Sequence, residues 1–213
     1  VTQEFIKKYH INKSLPTQWG DIYDVIRYIM ELSLKNNDYK LILVSESTIP
    51  IKPFQYIYDY LTHDSKGFLN YIPHLSNNDN EKYCLLMQYQ RYINNIEKID
   101  NFTKNIDISH WYHNETWIIF NQEMMEIIFN DNYYINFFKQ SFVYDENYPM
   151  YLYSLNNKID LFHNIKTTYT YWYGDITGKR HPKLYDKVDE NIILLFMNPN
   201  LLYSSHLHNK IIH

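Results

Sequence analysis

The sequence predicts an α/β fold in which helices flank a mostly parallel central sheet. Short apolar runs typical of buried strands alternate along the chain with segments whose apolar residues recur at helical spacing. The 213 residues are enough for one domain with its own core, and we expect residues 1–213 to form a single domain. The sequence shows no internal repeat.

The first half of the chain predicts a helix, a strand and a second helix, in that order. The first helical face consists of Ile22, Val25, Ile26, Ile29 and Leu32, with Asp21 as its N-cap. The apolar run 39–45 predicts a buried strand. After Pro50 and Pro53, the second helical face consists of Phe54, Ile57, Tyr58 and Leu61. Residues 62–110 predict a long irregular connection with one short helix over 85–92.

In the second half of the chain, predicted strands again alternate with a predicted helix. Residues 116–120 predict a strand, and Asn121 is placed to cap the helix that follows. The face of that helix consists of Met124, Met125, Ile128 and Phe129. Residues 166–172 alternate β-branched and aromatic side chains, which predicts a strand before a turn at Gly174 and Gly178. Residues 188–195 fit either a helix or a strand.

Composition and charge narrow the classes of function. Hydrophobic residues make up 45% and charged residues 21% of the chain, which is typical of a globular protein. A net charge of −4 and a pI near 6.2 argue against a general nucleic-acid or membrane-surface binder. An aromatic-rich binder of single-stranded nucleic acid is disfavoured for the same reason, because it needs a cationic groove beside its stacking rings.

The number of cysteines and the lengths of the apolar runs predict the cellular compartment in which the protein acts. The single cysteine, Cys84, excludes an internal disulfide and fits a reducing compartment. No apolar run reaches the roughly 18 residues that span a bilayer, and the first ten residues do not resemble a signal peptide. We therefore expect a protein without a membrane span that acts in the cytoplasm, which is the host cytoplasm if the protein is viral; a Golgi-type lumen is the less favoured alternative.

The 23 tyrosines, four glycines and complete lack of alanine are unusual. We interpret this composition as codon bias in an AT-rich genome, such as that of a large DNA virus or an AT-rich microbe. A tyrosine-rich surface selected for stacking is the alternative.

Standard cofactor and metal motifs do not occur in the sequence. There is no G-x-G-x-x-G, no phosphate-binding G-x-x-x-x-G-K-[ST], no H-E-x-x-H and no Asp-x-Asp pair, and the ten histidines are scattered. Divalent-metal catalysis is therefore not favoured, and we expect neither a metal nor a cofactor.

The first candidate segment for chemistry follows the predicted strand 39–45. Ser45, Glu46 and Ser47 place small polar groups at the carboxyl edge of the sheet, where open α/β sheets bind their ligands. An ordinary strand end is the alternative interpretation.

Two further candidate segments carry charge. Asp145 and Glu146 lie among aromatic residues in a predicted loop, and a partly apolar wall raises the pKa of a carboxylate, as suits a general base. Lys166, and Lys187 within the segment 181–189, are suited to neutralising a diphosphate without a metal. The alternatives are a solvated carboxylate pair and ordinary surface lysines.

Four blocks in order resemble the core-2/I-branching glycosyltransferase family, which includes branching N-acetylglucosaminyltransferases and peptide xylosyltransferases. The first block is TQWGDIYDVIRYIMELSLKNNDYKLILVSESTIPIKPF. The second is HWYHNETWIIFNQEMMEII, in which Gln122 replaces the family's usual Arg. The third is FVYDENYPMYL, and the last is KTTYTYWYGD followed by HPKLYDKVDENII. The match covers most of residues 17–192.

The resemblance implies a GT-A-type nucleotide-sugar transferase fold. It also implies inverting transfer of a sugar, GlcNAc or xylose, from a UDP-sugar to a hydroxyl of a glycan or protein acceptor, without a metal. By the family pattern Glu146 falls on the catalytic base. Lys187 and Lys166 fall on basic residues that bind the donor diphosphate.

The chemistry of inversion agrees with these assignments. A single displacement needs one base, and two fixed cations stabilise the leaving UDP. We expect Trp117, Tyr148 and Trp172 to stack on sugar faces, although a core position is the alternative for Trp117. Asp145 is expected to orient the loop or to bind an acceptor hydroxyl.

The chain also departs from the family pattern. Family catalytic domains begin with a strand that meets the nucleotide, whereas sixteen residues precede Thr17 here, so we expect that strand to be missing or trimmed. This departure and Gln122 favour the alternative function, a non-catalytic relative that binds a glycan or a partner.

Overall fold

The computed structural model describes residues 15–18, 20–45, 48–72, 105–139, 143–170, 172–174, 180–182 and 197–204. Five helices lie in these ranges: α1 (Tyr23–Asn36), α2 (Phe54–Thr62), α3 (Gln122–Asn130), α4 (Tyr134–Phe138) and α5 (Tyr148–Leu155). The first six strands there are β1 (Lys40–Ile42), β2 (Ile49–Pro50), β3 (Gly67–Phe68), β4 (Tyr71–Ile72), β5 (His113–Asn114) and β6 (Ile119–Asn121). The remaining five are β7 (Phe162–His163), β8 (Thr168–Tyr169), β9 (Trp172–Gly174), β10 (Arg180–Pro182) and β11 (Tyr203–Ser204).

The central sheet is mixed, and the expectation of a mostly parallel sheet is wrong. Its strand order is β1-β6-β3-β7. β6 is antiparallel to both β1 and β3, while β3 and β7 are parallel. The broader expectation of an α/β arrangement, with helices packed on a sheet, is confirmed.

The direction of β6 follows from how the chain returns to the sheet. Strands β1 and β3, which are connected through α2, are parallel to each other but not adjacent. The sheet has room for one strand between them. β4 continues from β3, and β5 pairs with β4 in the antiparallel direction, with Tyr71 opposite Asn114. The chain therefore enters β6 reversed and fills the gap between β1 and β3.

Close packing fixes β3 beneath α3. A Cβ at Gly67 would lie 2.3 Å from Met124 Sδ and 2.5 Å from the Ile119 carbonyl oxygen, far inside van der Waals contact. Only glycine fits there. The Asn121 side chain caps α3 as expected, since its Oδ1 accepts a hydrogen bond from the Met124 backbone N–H at 2.8 Å.

Helix α1 begins differently from the expectation. Its N-cap is Ile22, which provides no side-chain cap, so the assignment of Asp21 as N-cap is wrong. The Asp21 carboxylate instead accepts a hydrogen bond from the Tyr144 hydroxyl. The residue thus joins the start of α1 to the distant segment that carries Asp145 and Glu146.

Helix α5 is the main element that the sequence patterns do not predict. Seven of its eight residues, Tyr148–Ser154, are buried. A helix that is enclosed on all sides shows no alternation of apolar and polar faces, so periodicity cannot reveal it. The predicted loop at 144–149 is a 3₁₀ turn, Tyr144–Glu146, that leads directly into this helix.

Two hydrophobic clusters hold the layers together. The larger lies between α1, α3, α4 and α5 and includes Tyr23, Met30, Met124, Ile128, Phe138, Tyr148, Tyr151 and Tyr153. The smaller places α2 against the other side of the sheet, through Ile57, Leu61, Phe68, Ile119 and Leu202. The predicted helix at 85–92 and the ambiguous segment 188–195 lie outside the described residues.

Candidate active site

Glu146 lies on a tight turn whose backbone packs against a glycine. Val143, which precedes the turn, has a left-handed φ of 57°, and Gly20 has a φ of 77°. A Cβ at Gly20 would lie 2.6 Å from Val143 Cα. Any other residue at position 20 would therefore strain its own backbone and push the Glu146 turn away.

Strand β5 supports the same turn from another side. The side chain of Asn114, which is fully buried, donates from Nδ2 to the Asp145 carbonyl oxygen at 3.2 Å. The Asn147 side chain donates to the Tyr112 carbonyl oxygen at 2.8 Å. Two side-chain amides thus fasten the turn to β5, which fixes the direction in which Glu146 leaves the backbone.

His113 of β5 is a titratable neighbour of the Glu146 carboxylate. The His113 Nδ1 atom lies 3.9 Å from Glu146 Oε2. Burial lowers the pKa of the His113 ring to about 4, an effect that a hydrogen bond with the Glu146 backbone partly offsets. The ring is therefore neutral near pH 7, and the contact is not an ion pair at that pH.

Lys166 lies beside the same strand. Its Nζ is 2.6 Å from Glu115 Oε1, in the residue that follows β5. The Asn164 side chain brings this segment into place, because it donates to the Tyr71 carbonyl and accepts from the Tyr71 N–H, at 3.1 and 2.9 Å. Asn164 thereby attaches the segment before Lys166 to β4, the partner of β5.

Glu146 and Lys166 thus each contact a residue of one short segment, since Glu146 lies near His113 and Lys166 is paired with Glu115. His113 and Glu115 are two residues apart in extended chain and are both half-buried, whereas Asn114 between them is buried. Alternate residues of a strand lie on one face at a separation of about 7 Å. We call the side of His113 and Glu115 the β5 face, and it joins the predicted base to one predicted cation.

Comparison of the sequence with models of protein families identifies the family of this chain. The family model described as Core-2/I-Branching enzyme matches residues 1–198. The chain belongs to the core-2/I-branching enzyme family. Members of this family are glycosyltransferases, which take a sugar from a nucleotide-sugar donor and pass it to an acceptor. No curated protein matches the chain.

In this family member, Asp145 points inward and not along the β5 face. Only 6% of the residue is exposed, and within the described part of the chain its Oδ1 has no hydrogen-bond partner. Burial raises the pKa of the Asp145 carboxyl to about 6, and the nearby Asp21 adds to the shift. Of the two adjacent acids, Glu146 is the one near His113.

The raised pKa of Asp145 predicts a pH-dependent stability. A carboxyl that titrates higher in the folded than in the unfolded state stabilises the fold below pH 4, and that contribution is lost as the pH rises through about 6. We expect Asp145→Asn to raise the free energy of unfolding at pH 7 by at most about 3 kcal/mol, with little change at pH 4. Urea unfolding of both proteins at the two pH values checks this, and an equal difference at both would contradict it.

The structure places the remaining predicted site residues in different surroundings. Tyr148 is fully buried and donates to Asp131 Oδ2 at 2.8 Å, so its ring has no exposed face for a sugar in this arrangement. Trp117 is half-buried in the link between β5 and β6. The Ser45 hydroxyl lies 2.8 Å from the Thr48 hydroxyl. Three predicted residues, Glu46, Ser47 and Lys187, lie outside the described residues, as does the Trp172 side chain.

Two residues of the site, His113 and Glu115, were missed by sequence reasoning. Both lie in the block HWYHNETWIIF, whose order resembles the family, but no role attached to either of them. Their contacts with Glu146 and Lys166 cross 33 and 51 residues of chain, respectively. The pairing of β4 with β5 creates these contacts, and no local pattern reports it.

A separate cavity of about 470 Å³ contains none of the predicted site residues. It lies between α3, α5 and the start of α4, and its acidic lining residues are Glu123, Glu126 and Asp131. Glu123 is paired with Lys158 at 2.7 Å, and Asp131 caps α4. Among the described residues, no three His, Cys, Asp or Glu side chains are grouped to hold a metal, and no helix is long and apolar enough to cross a bilayer.

Proposed function

We propose that this family member is an inverting glycosyltransferase that moves a sugar, GlcNAc or xylose, from a UDP-sugar to an acceptor hydroxyl. Glu146 acts as the general base, and no metal takes part. The observation that supports the proposal most directly is the position of Glu146 and Lys166 on the β5 face. A base and a diphosphate-binding cation must lie close together, because the acceptor attacks the carbon that carries the diphosphate.

Glu146 is held for proton abstraction. Its carboxylate is about one-third exposed, so an acceptor hydroxyl can approach it, while its backbone is fixed by Val143, Asn114 and Asn147. The hydroxyl oxygen loses its proton to Glu146 as it attacks the anomeric carbon, and the bond to UDP breaks in the same step. Configuration inverts because attack and departure take place on opposite sides of that carbon.

The neutral state of His113 suits this role. A protonated ring 3.9 Å from the Glu146 carboxylate would stabilise the anion and make it a weaker base. Burial keeps the ring uncharged near pH 7. The described ring beside the Glu146 carboxylate is therefore uncharged at that pH.

Lys166 and Lys187 take the charge that develops on the leaving UDP. Fixed cations in a partly water-excluded site stabilise a departing phosphate as a divalent metal does elsewhere. Lys166 is about one-third exposed, so it is accessible to a diphosphate. Trp117 is the described aromatic residue that remains suited to stacking on a sugar, since it is half-buried and next to the β5 face.

The single cysteine supports action in a reducing compartment, and we propose the cytoplasm. The acceptor is a glycan or a protein hydroxyl.

The test is a screen of UDP-sugars by thermal shift, followed by turnover of the best donor in the presence of EDTA. A donor that binds only the folded protein raises its melting temperature. We expect UDP and one UDP-sugar to stabilise the protein, and EDTA to leave turnover unchanged. Turnover that requires added Mn²⁺ would refute the metal-free mechanism.

A non-catalytic relative that binds a glycan or partner is the alternative function. Gln122, which stands where the family usually has Arg, is one observation in favour of this alternative. Its side chain, however, donates a hydrogen bond to Asn37 Oδ1 at 2.7 Å and so joins α3 to the end of α1. The contact gives the glutamine a structural role. Calorimetry separates the two functions, since the alternative requires glycan binding without UDP binding.

A further inference from the structure

Lys166 already has a counter-ion within hydrogen-bonding distance. Its Nζ lies 2.6 Å from Glu115 Oε1. The exposed fractions of the two side chains are 35% and 26%, which makes this the only Lys–carboxylate pair among the described residues with neither partner more than 35% exposed. Because both side chains are partly shielded from water, solvent screens this pair less than it screens a fully exposed surface pair.

Both partners of this pair extend from fixed backbone. The Glu115 N–H donates to the Asn70 carbonyl at 2.9 Å, and the Glu115 carbonyl accepts from Asn114 Nδ2 at 3.2 Å. Next to Lys166, the Thr167 carbonyl accepts from the N–H groups of Leu202 and Tyr203, at 2.9 and 3.2 Å. The contact is therefore set by the fold, and it can open only by rotation of the side chains.

The balance of charge on the β5 face does not favour an anionic donor. The described groups there are one cation, Lys166, and the two carboxylates of Glu115 and Glu146, since the ring of His113 is neutral near pH 7. A diphosphate that approaches Lys166 meets the Glu115 carboxylate at the same ammonium group. The two anions compete for one cation.

We propose that Glu115 is the resident counter-ion of Lys166 and that the donor diphosphate must displace its carboxylate before Lys166 can hold the nucleotide. The inference rests on the proposed function, because it takes Lys166 as a ligand of the diphosphate. Glu115 then sets the affinity for the donor. It also keeps Lys166 extended and paired while the site is empty.

The test is the affinity for UDP and for uridine of the full chain and its Glu115→Gln variant, measured by calorimetry. Glutamine keeps the shape and loses the charge. We expect UDP to bind Glu115→Gln about five-fold more tightly, since displacement of a half-buried ion pair no longer opposes it. The affinity for uridine, which has no diphosphate, is expected to stay the same. A purely structural role of Glu115 would change both affinities together.

Two further variants make the outcome decisive. Glu123→Gln breaks the Lys158–Glu123 pair, 2.7 Å long and outside the site, and is expected to leave both affinities unchanged. Lys166→Met tests the proposed function separately, since it should weaken UDP binding. If Lys166→Met weakens UDP binding and Glu115→Gln does not tighten it, the counter-ion inference is wrong and the proposed function stands. If Lys166→Met leaves UDP binding unchanged, the assignment of Lys166 is wrong, and the inference falls with it.

Discussion

Replacing Glu146 by glutamine is expected to lower kcat for sugar transfer by about 10²- to 10⁴-fold while UDP binding is retained. Glutamine keeps the size of the side chain but cannot accept the proton of the acceptor hydroxyl. The turn that carries it is fixed by the backbone of Val143 and by the amides of Asn114 and Asn147, none of which depends on the Glu146 charge. The fold should therefore be unaffected, and melting temperatures of both proteins check this.

Glu126→Gln is the matched control for this variant. Glu126 is exposed on α3, among residues that line the separate cavity, so its replacement is expected to change neither kcat nor UDP affinity. Full activity of Glu146→Gln would remove the base assignment. A loss of UDP binding equal to the loss of kcat would mean that Glu146 holds the donor and not the proton.

Replacing Lys166 by methionine is expected to raise the barrier to transfer by about 2–4 kcal/mol, which is about 30- to 900-fold in rate. The ammonium group stabilises charge that grows on UDP as the glycosidic bond breaks, so the loss should fall mainly on kcat/KM for the donor. The variant also leaves Glu115 without its partner 2.6 Å away, and the uncompensated carboxylate adds repulsion toward the diphosphate. Steady-state rates with the best UDP-sugar measure the effect.

Two further variants separate the loss of the Lys166 cation from the repulsion by the unpaired Glu115 carboxylate. In the double variant Lys166→Met with Glu115→Gln the repulsion is removed, so part of the lost rate should return. Lys158→Met breaks the pair with Glu123 outside the site and should leave the rate unchanged. A Lys166→Met protein with the donor kcat/KM of the original chain would show that this lysine does not meet the diphosphate.

Local chemistry explains what could be predicted from the sequence. Apolar residues recur at helical spacing in α1, α2 and α3, so the presence of these helices was predictable. The predicted buried face fits α3 best, whereas α1 buries Tyr23, Ile26 and Met30, and Phe54 and Tyr58 of α2 are exposed. The cap at Asn121 depends on a hydrogen bond three residues away and is equally local. Glu146 and Lys166 were predicted as site residues because they lie in blocks whose order resembles the family, and their roles stay a prediction.

Non-local pairing explains what could not be predicted. The reversal of β6 depends on the pairing of β4 with β5 across the segment 73–112, and α5 is enclosed on every side. Asp21 has the residue type of a cap, but its carboxylate bonds with the Tyr144 hydroxyl, 123 residues away. The contacts of His113 and Glu115 arise in the same way, because strand register and not sequence spacing places them beside Glu146 and Lys166.

In the proposed mechanism Glu146 and Lys166 act on one nucleotide sugar at the β5 face: Glu146 takes the proton in the chemical step, and Lys166 binds the diphosphate. Calorimetric titration of UDP into Glu146→Gln and Lys166→Met, side by side with the original chain, tests this division of roles. We expect an unchanged Kd for Glu146→Gln and a weakened Kd for Lys166→Met. Equal Kd values for all three proteins, or a loss of UDP binding in Glu146→Gln alone, would contradict it.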